Sequence, residues 1–315
     1  MYVWFDAPLG YISITKCHTS EWELWWKNPQ NVELHQFMGK DNISFHSELE
    51  KIGPYLIQSI HATHFLLFGA GKFSKSKGIG IFGDEVKDTN IPVEVWRYYL
   101  LSARPEISWE DLQAKLNSEL ADNLGNFMNR VLTFVAKPPG KGYNSIVPEV
   151  LDAVLSEIDI EFGDSLKHYV GKLKDGLKAA MAIANEGNRH FQRTKVWKLY
   201  VEDRSRCSFV VKTLVGVLCI LACLLQPYMP SFTIKVLKQL NLEDCVLTLH
   251  DEDIERAQKP WEIVPAGHKI GKPCPLFRKL SDDDVNELEK EFCGSQTERH
   301  ENVVLLNKSE VDVTK

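Results

Sequence analysis

The sequence lacks the motifs of disulfide-stabilised, zinc-binding and P-loop proteins. Its seven cysteines include no CxxC pair, and no GxxxxGK(S/T) phosphate loop occurs. The odd cysteine count and the missing signal peptide predict free thiols in a reducing compartment, so the expected location is the cytoplasm. The longest apolar run, residues 213–225, falls short of the roughly 20 residues that span a bilayer. We therefore expect a core helix there, no membrane partner and no zinc site.

Charge is unevenly spread along the chain. Lys plus Arg number 37 against 43 Asp plus Glu, and the net charge of −6 argues against a general nucleic-acid coat. Residues 166–200, however, hold eight basic residues and two acidic ones. Because screening limits a charge to a range of about 10 Å, this basic segment can still bind an anion.

The first part of the chain predicts an α/β sheet. The run VELHQFMG predicts a strand that ends at Gly39, and HATHFLLFGAG predicts another over Thr63–Phe68. The opening MYVWFDAPLGYISI predicts a strand over Tyr2–Phe5, broken at Pro8 and Gly10. A helix is expected after Pro92, because proline suits the first helical turn. Residues 1–109 are thus assigned to this α/β part.

Residues 110–260 predict an all-α helical bundle. One apolar stripe contains Leu112, Leu116, Leu120, Leu124, Phe127 and Val131, and a second contains Leu166, Val170, Leu173, Leu177 and Met181. A third helix is expected over residues 207–225. Residues 261–315 are rich in Pro and Gly at first and acidic later. They predict an extended strap, then a short solvated helix over SDDDVNELEKEF and a frayed tail.

Two patterns resemble ligand sites without the context that such sites need. GIGIFG, residues 78–83, matches GxGxxG but follows a lysine-rich stretch, with no acid between residues 95 and 105. His61 and His64 of HATH lack further ligands at metal-site spacing, so histidines on or beside a strand are the simpler interpretation. Neither pattern predicts a cofactor or metal site.

The stretch GKFSKSKGIGIFG places Lys72, Lys75 and Lys77 among glycines. Ammonium groups on a flexible loop suit an anion whose charge builds up during a reaction, such as a polyphosphate that loses pyrophosphate. Taken alone, a solvated basic loop is the simpler interpretation.

Five stretches together resemble one enzyme family. KFSKSKG is similar to the KMSKS signature of class I aminoacyl-tRNA synthetases, with Phe73 in place of methionine. YVWFDAPLGYIS and FMGKDNISFH resemble methionyl-tRNA synthetases, LNSELADNLGNFMNRVL resembles the first helix of their anticodon-binding bundle, and PWEIVPAGHKIGKPCPLF resembles the strap that follows. The residues of these stretches are most similar to those of eukaryotic cytoplasmic, plant-like members of the family. The resemblance implies a Rossmann-like catalytic domain that activates methionine with ATP and Mg²⁺ and transfers it to tRNA(Met).

The resemblance also implies site residues. The methionine pocket would consist of Trp4, Ala7, Pro8, Tyr11 and His46. Gly39 and Asp41 would hold the ATP ribose, and Lys75, assisted by Lys72, would steady the departing pyrophosphate. The simpler alternatives are core aromatic residues for Trp4 and Tyr11, a loop cap for Asp41 and a hydrogen-bonded core histidine for His46.

Three further residues match anticodon-reading positions of the family. Asn126 and Arg130 lie four apart on one helix flank, where an amide and a guanidinium can read base edges. Trp197 offers a stacking surface worth about 1–3 kcal/mol per base. Val196 stands where relatives often have proline, which puts the local loop shape in doubt. A solvated helix flank and a half-buried core tryptophan are the alternatives.

One family motif does not occur in this sequence. The HIGH-type motif, which stabilises the ATP phosphates in class I synthetases, has no match; HATH has two histidines but no glycine. We therefore expect no methionine activation by this chain alone, because half a parallel sheet also leaves an open edge. A non-catalytic tRNA-binding remnant is the alternative function, and an inert product is the third.

Overall fold

The computed structural model describes residues 6–47, 57–68, 71–72, 80–102, 106–150, 155–170, 175–243 and 257–292. By their contacts, the residues form two compact units, Met1–Gly80 and Ile81–Lys315. Helices dominate the second unit and a small parallel sheet lies in the first, so the predicted fold class, α/β followed by all-α, is confirmed.

A parallel strand pair organises the first unit. Strand β1 (Leu34–Gly39) pairs with β2 (Ile57–Thr63), and Gly39 lies opposite Thr63. The predicted strand ending at Gly39 is confirmed. The predicted strand Thr63–Phe68 is wrong, because β2 ends at Thr63, where its partner also ends. Leu67–Phe68 (β3) instead pairs antiparallel with Gly71–Lys72 (β4).

Helices fill the rest of the described first unit. A 3₁₀ turn (Lys40–Asn42) and helix α3 (Ile43–Ser47) follow β1. They belong to the crossover connection that two parallel strands need. Helix α2 spans Trp22–Trp26, and the Trp26 indole donates a 3.0 Å hydrogen bond to the Thr15 hydroxyl. This bond ties α2 to the helix before it.

The first helix corrects a prediction. Helix α1 spans Asp6–His18 and contains both Pro8 and Gly10, where the sequence predicted breaks. Proline is tolerated there because the first-turn amides have no intrahelical partner. The predicted strand Tyr2–Phe5 lies outside the described residues.

One long helical rod opens the second unit's bundle. Helix α4 (Val93–Ser102) follows Pro92 as predicted, and strand β5 (Glu106–Ile107) leads to α5 (Trp109–Ala114). A π-helical segment, Lys115–Gly125, and α6 (Asn126–Ala136) continue α5. The predicted leucine stripe is buried. On an α-helix, residues four apart are rotated by about 40° relative to one another around the helix axis. The wider turn of the π-helical segment reduces this rotation.

The second predicted stripe lies on two helices instead of one. Helix α7 spans Glu157–Val170 and α8 spans Gly176–Arg193, while residues 171–174 lie outside the description. Helices α9 (Val196–Glu202), α10 (Arg204–Leu225) and α11 (Pro230–Leu240) complete the bundle. Helix α10 is long and apolar enough to cross a membrane, but 89% of its most apolar window is buried inside the fold. It is therefore the predicted core helix.

The strap runs back along the bundle after a 3₁₀ turn at Pro260–Glu262. Gly216 of α10 permits this path, because a Cβ there would lie 1.9 Å from the Pro260 carbonyl oxygen. Farther on, the Val147 amide donates a 2.8 Å hydrogen bond to the His268 carbonyl oxygen. The Gly271 amide donates a 2.9 Å hydrogen bond to the Gln239 carbonyl oxygen.

Helix α12 (Asp282–Glu291) follows the strap and starts with a capping box at Ser281. The prediction of a solvated helix is wrong in one respect. Val285 and Leu288 are buried, and the ring of Phe292 lies 5.9 Å from that of Trp109 on α5. The helix therefore packs against α5 through one apolar face.

Candidate functional site

Tyr11 and His46, which are 35 residues apart in sequence, meet in the first unit. The Tyr11 hydroxyl lies 3.3 Å from His46 Nε2, and His46 Nδ1 lies 2.8 Å from the Asn42 carbonyl oxygen. A carbonyl only accepts, so a neutral His46 carries its proton on Nδ1. Nε2 then accepts from Tyr11, and the imidazole is fixed in one tautomer.

This pair lines a cavity of about 390 Å³. Its walls come from α1, α2, β1 and α3, and they include Trp26, Leu34 and Met38. Gln36 lies among them and is only 8% exposed, and its Oε1 has no hydrogen-bond partner among the described residues. A buried acceptor without a partner is costly, so Gln36 is suited to receive a donor from a ligand.

Sequence reasoning missed Gln36, although a signal was present. It occupies an inward position of β1 between Leu34 and Met38, where alternation would place an apolar side chain. A polar residue on an apolar strand face marks either a structural hydrogen bond or a ligand contact.

Gly39 and Asp41 lie at the carboxyl end of β1. Gly39 is the last strand residue, and Asp41 is exposed in the 3₁₀ turn that follows. In open α/β sheets, ligands bind outside the carboxyl ends of parallel strands. The position of both residues therefore suits a nucleotide contact, and their role remains a prediction.

The other predicted residues of this unit are described incompletely or not at all. Pro8 is buried in α1. Ala7 lies on the same helix and Lys72 on β4, and only their backbones belong to the described structure. Trp4 and Lys75 lie outside the described residues. Their predicted roles stay predictions.

Arg130 is held in a fixed position in the second unit. Its guanidinium lies 4.4 Å above the Phe191 ring of α8, and one nitrogen donates a 3.3 Å hydrogen bond to Asn188 Oδ1. Partial burial lowers the pKa of this guanidinium, which remains charged because arginine titrates far above neutrality. The arrangement presents a cation that is partly desolvated and restrained.

Trp197 lies beside the same phenylalanine. Its ring centroid is 6.1 Å from that of Phe191, and 46% of the residue is exposed. Asn126 is exposed one turn before Arg130 on α6. The structure thus brings Arg130 and Trp197 together around Phe191, with the Asn126 amide on the same helix as Arg130.

Phe191 and Asn188 were not predicted as site residues. Asn188 Nδ2 donates a 2.9 Å hydrogen bond to the Asn123 carbonyl oxygen, and Asn123 Nδ2 donates one of 2.9 Å to the Met181 carbonyl oxygen. These bonds link α8 to the π-helical segment and orient the amide that holds Arg130. Phe191 belongs to an ordinary apolar helix face, so no local signal marks it.

A buried ionic cluster lies in the interior of the same bundle. Asp159 of α7 pairs with Arg206 of α10, and His190 Nε2 of α8 lies 3.5 Å from Asp159 Oδ1. Burial lowers the pKa of His190 to about 4, which outweighs the raising influence of Asp159. His190 is therefore neutral at physiological pH and acts in packing, stacked 4.3 Å from the Phe162 ring.

The histidines of HATH have structural surroundings. His61 lies on β2, stacks 4.6 Å from the Phe37 ring, and accepts or donates a 2.9 Å hydrogen bond at Ser59 Oγ. His64 directly follows that strand. Over the described residues, no three His, Cys, Asp or Glu side chains converge on a common point.

Two protein-family models match the chain. The model described as tRNA synthetases class I (M) matches residues 1–132. The model described as anticodon binding domain of methionyl tRNA ligase matches residues 164–297. Asn126 and Arg130 lie in the first range, and Trp197 lies in the second.

Similar curated proteins span nearly the whole chain. The cytoplasmic methionine–tRNA ligase of Arabidopsis thaliana is 51% identical over 321 residues, which cover 95% of this chain and 40% of that protein. The human cytoplasmic methionine–tRNA ligase is 40% identical over 322 residues, which cover 94% of this chain and 34% of that protein. The chain therefore spans 40% or less of the length of these two relatives.

A solved structure has the same fold. Mycobacterium tuberculosis methionyl-tRNA synthetase bound by methionyl-adenylate aligns with a TM-score of 0.70 at 25% identity. The alignment covers 88% of this chain and 56% of that chain.

Proposed function

Because this chain belongs to the methionyl-tRNA synthetase family of class I aminoacyl-tRNA synthetases, we propose that it serves in attaching methionine to tRNA(Met) in the cytoplasm. The part of this task that the described residues support best is recognition of the anticodon. The observation that carries the proposal is the grouping of Arg130 and Trp197 around Phe191.

The chemistry of this group suits an unstacked anticodon. Proteins read single-stranded RNA by stacking its bases on aromatic rings and by bonding their edges. The Trp197 indole is 46% exposed and offers such a ring. Arg130 is restrained before any ligand arrives, so binding costs little side-chain entropy. The exposed Asn126 amide, one turn away, adds a donor and an acceptor.

The cavity of Tyr11 and His46 is proposed to hold methionine, together with Trp4, Ala7 and Pro8. A thioether is polarizable and is attracted to ring edges, and the aromatic walls of this cavity offer such edges. Gln36 Oε1 would accept a hydrogen bond from a polar group of the ligand. Discrimination would be modest, since one methylene is worth about 1–3 kcal/mol.

ATP, accompanied by Mg²⁺, is proposed as the second substrate. Gly39 would let the backbone approach the ribose, and the exposed Asp41 carboxylate would accept bonds from its hydroxyls. Lys75, assisted by Lys72, would stabilise the negative charge that develops as pyrophosphate leaves.

The second candidate function is tRNA binding without catalysis by this chain alone. It is favoured by the grouping of Arg130 and Trp197 around Phe191, all of which lie within the described residues. The two functions differ in one measurable property. Only the enzyme exchanges pyrophosphate with ATP in the presence of methionine.

One experiment separates these functions. The purified chain is assayed for methionine-dependent ATP–pyrophosphate exchange and for filter binding of tRNA(Met) at a stated salt concentration. We expect tRNA retention, and Trp197→Ala should weaken it by about 1–3 kcal/mol. The matched control is Trp25→Ala on α2, where the tryptophan is 62% exposed. Unchanged retention in Trp197→Ala would remove Trp197 from the site, and exchange by the chain would establish the enzyme.

A further inference from the structure

A second cation in the bundle is held on aromatic rings. Arg204 is the first residue of α10, and its guanidinium carbon lies 3.6 Å from the Tyr200 ring centroid and 4.6 Å from that of Tyr143. The two rings are nearly perpendicular, at 88°, with centroids 5.5 Å apart. The guanidinium therefore lies in a corner formed by two tyrosines, which we name the Arg204 corner.

Both tyrosines are fixed by their own hydroxyl groups. The Tyr200 hydroxyl donates a 2.5 Å hydrogen bond to the Gly142 carbonyl oxygen, and Tyr143 Oη lies 3.1 Å from Ser208 Oγ. Burial raises the pKa of Tyr143, so its ring stays neutral. The rings thus form a rigid floor that restrains Arg204 before any ligand binds.

The corner opens into a cavity of about 570 Å³, with walls from the turns at 139–149 and 266–267. Arg204 is exposed there. Glu149 also lines the cavity, but within the described part of the chain no carboxylate lies in ion-pair range of Arg204. Arg206, two residues farther on, differs, since it pairs with Asp159. As far as the described residues show, Arg204 therefore keeps its donors available.

Packed aromatic rings connect the corner to the proposed anticodon site. The Phe134 ring lies 6.3 Å from Phe191 and 5.8 Å from Tyr200, by centroids. Phe191 in turn contacts Trp197 at 6.1 Å. Since a nucleic-acid strand rises about 3.4 Å per nucleotide, a strand of several nucleotides reaches from Trp197 to Arg204.

Two lysines are close in sequence to the turn that lines the cavity. Lys137 Nζ lies 5.4 Å from the Phe134 ring centroid, and Lys141 is exposed on the adjoining turn. Acidic groups lie nearby too, since Glu149 lines the cavity and Glu202 and Asp203 are exposed directly before Arg204.

We propose that the Arg204 corner binds a backbone phosphate of the tRNA whose anticodon lies at Arg130 and Trp197. This proposal rests on the proposed function. The planar guanidinium fork matches phosphate oxygens in a bidentate way, and phosphate contacts fix register without reading sequence. Tyr200 covers one face of the guanidinium, which leaves its edge donors for the anion.

The test compares Arg204→Gln, which removes the charge, with Arg204→Lys, which keeps it. The control is Lys238→Gln, an exposed cation of α11. Filter binding of tRNA(Met) is measured over a range of salt concentrations with the whole chain, and circular dichroism verifies folding. Arg204→Gln should weaken binding roughly tenfold and lower the salt slope by about 1, equally for any anticodon sequence. Arg204→Lys should restore the slope but not the full affinity.

The outcomes distinguish this inference from the proposed function. If Arg204→Gln keeps the wild-type salt slope while Trp197→Ala loses binding, the Arg204 corner carries no phosphate and the anticodon site stands. If the wild-type chain retains no tRNA at any salt concentration, both are wrong. If Lys238→Gln reproduces the effect of Arg204→Gln, the loss reflects general charge and the corner is again refuted.

Discussion

Acidification should destabilise the helical unit through His190. This residue is 2% exposed, and its pKa is lowered from 6.5 to about 4, mainly by burial. The neutral form is thus favoured in the fold. As pH falls from 6.5 to about 4, the unfolded chain binds a proton that the folded chain refuses. Stability should therefore decrease through this window, by about 3 kcal/mol at its lower end.

The charged groups around His190 explain why burial prevails. Asp159 of α7 faces the imidazole and favours its protonation, but Arg206 of α10 already neutralises that carboxylate. Arg206 and Arg193 also disfavour a further positive charge. Protonation would place an uncompensated cation in the bundle interior, which is strongly unfavourable.

Urea unfolding, followed by far-UV circular dichroism between pH 6.5 and 4, measures this effect against a His190→Gln variant. The variant cannot titrate at this position, so the stability difference between the two proteins should change with pH. A difference that stays constant across the window would refute the reasoning.

Two substitutions test packing and the cavity. Gly187→Ala should destabilise the bundle by about 1–3 kcal/mol, because the new Cβ would lie 2.4 Å from Phe127 Cζ. Thermal melting checks this against Gly163→Ala, where the nearest atom is 3.4 Å away and no loss is expected. Gln36→Leu should raise the free energy of unfolding by about 1 kcal/mol, because it removes a buried acceptor that has no hydrogen-bond partner among the described residues. The same variant should lose any stabilisation by methionine, and a retained methionine shift would exclude Gln36 from the pocket.

The sequence predicted helices better than it predicted strand ends. Leu112, Leu116 and Leu120 repeat along one face, and that periodicity is a local property that survives in the fold. The end of β2 at Thr63 depends on its partner, since β1 ends opposite it at Gly39. The residues of β2 alone do not specify where this strand pairing ends.

Helix α1 shows another limit of local signals. Pro8 and Gly10 suggest a break, yet a proline in the first turn loses no intrahelical hydrogen bond. Whether such a proline begins or ends an element depends on where the helix starts. The sequence around it does not fix that start.

The candidate site could be predicted only as far as the family resemblance named its residues. Tyr11 and His46 were both named, and the 3.3 Å contact between them comes from the fold. Arg130 and Trp197 were also named, but Phe191, which joins them, looks like any apolar helix residue. Residues that support a site through packing carry no chemical signature in the sequence.

The most direct test of the central claim is the anticodon preference of the purified chain. Equilibrium binding is measured for tRNA(Met) with its CAU anticodon and for the same tRNA with one anticodon base replaced. We predict tighter binding to CAU by the wild-type chain and loss of that preference in Trp197→Ala, with folding unchanged. Equal affinity of the wild-type chain for both tRNAs would contradict anticodon recognition by Arg130 and Trp197.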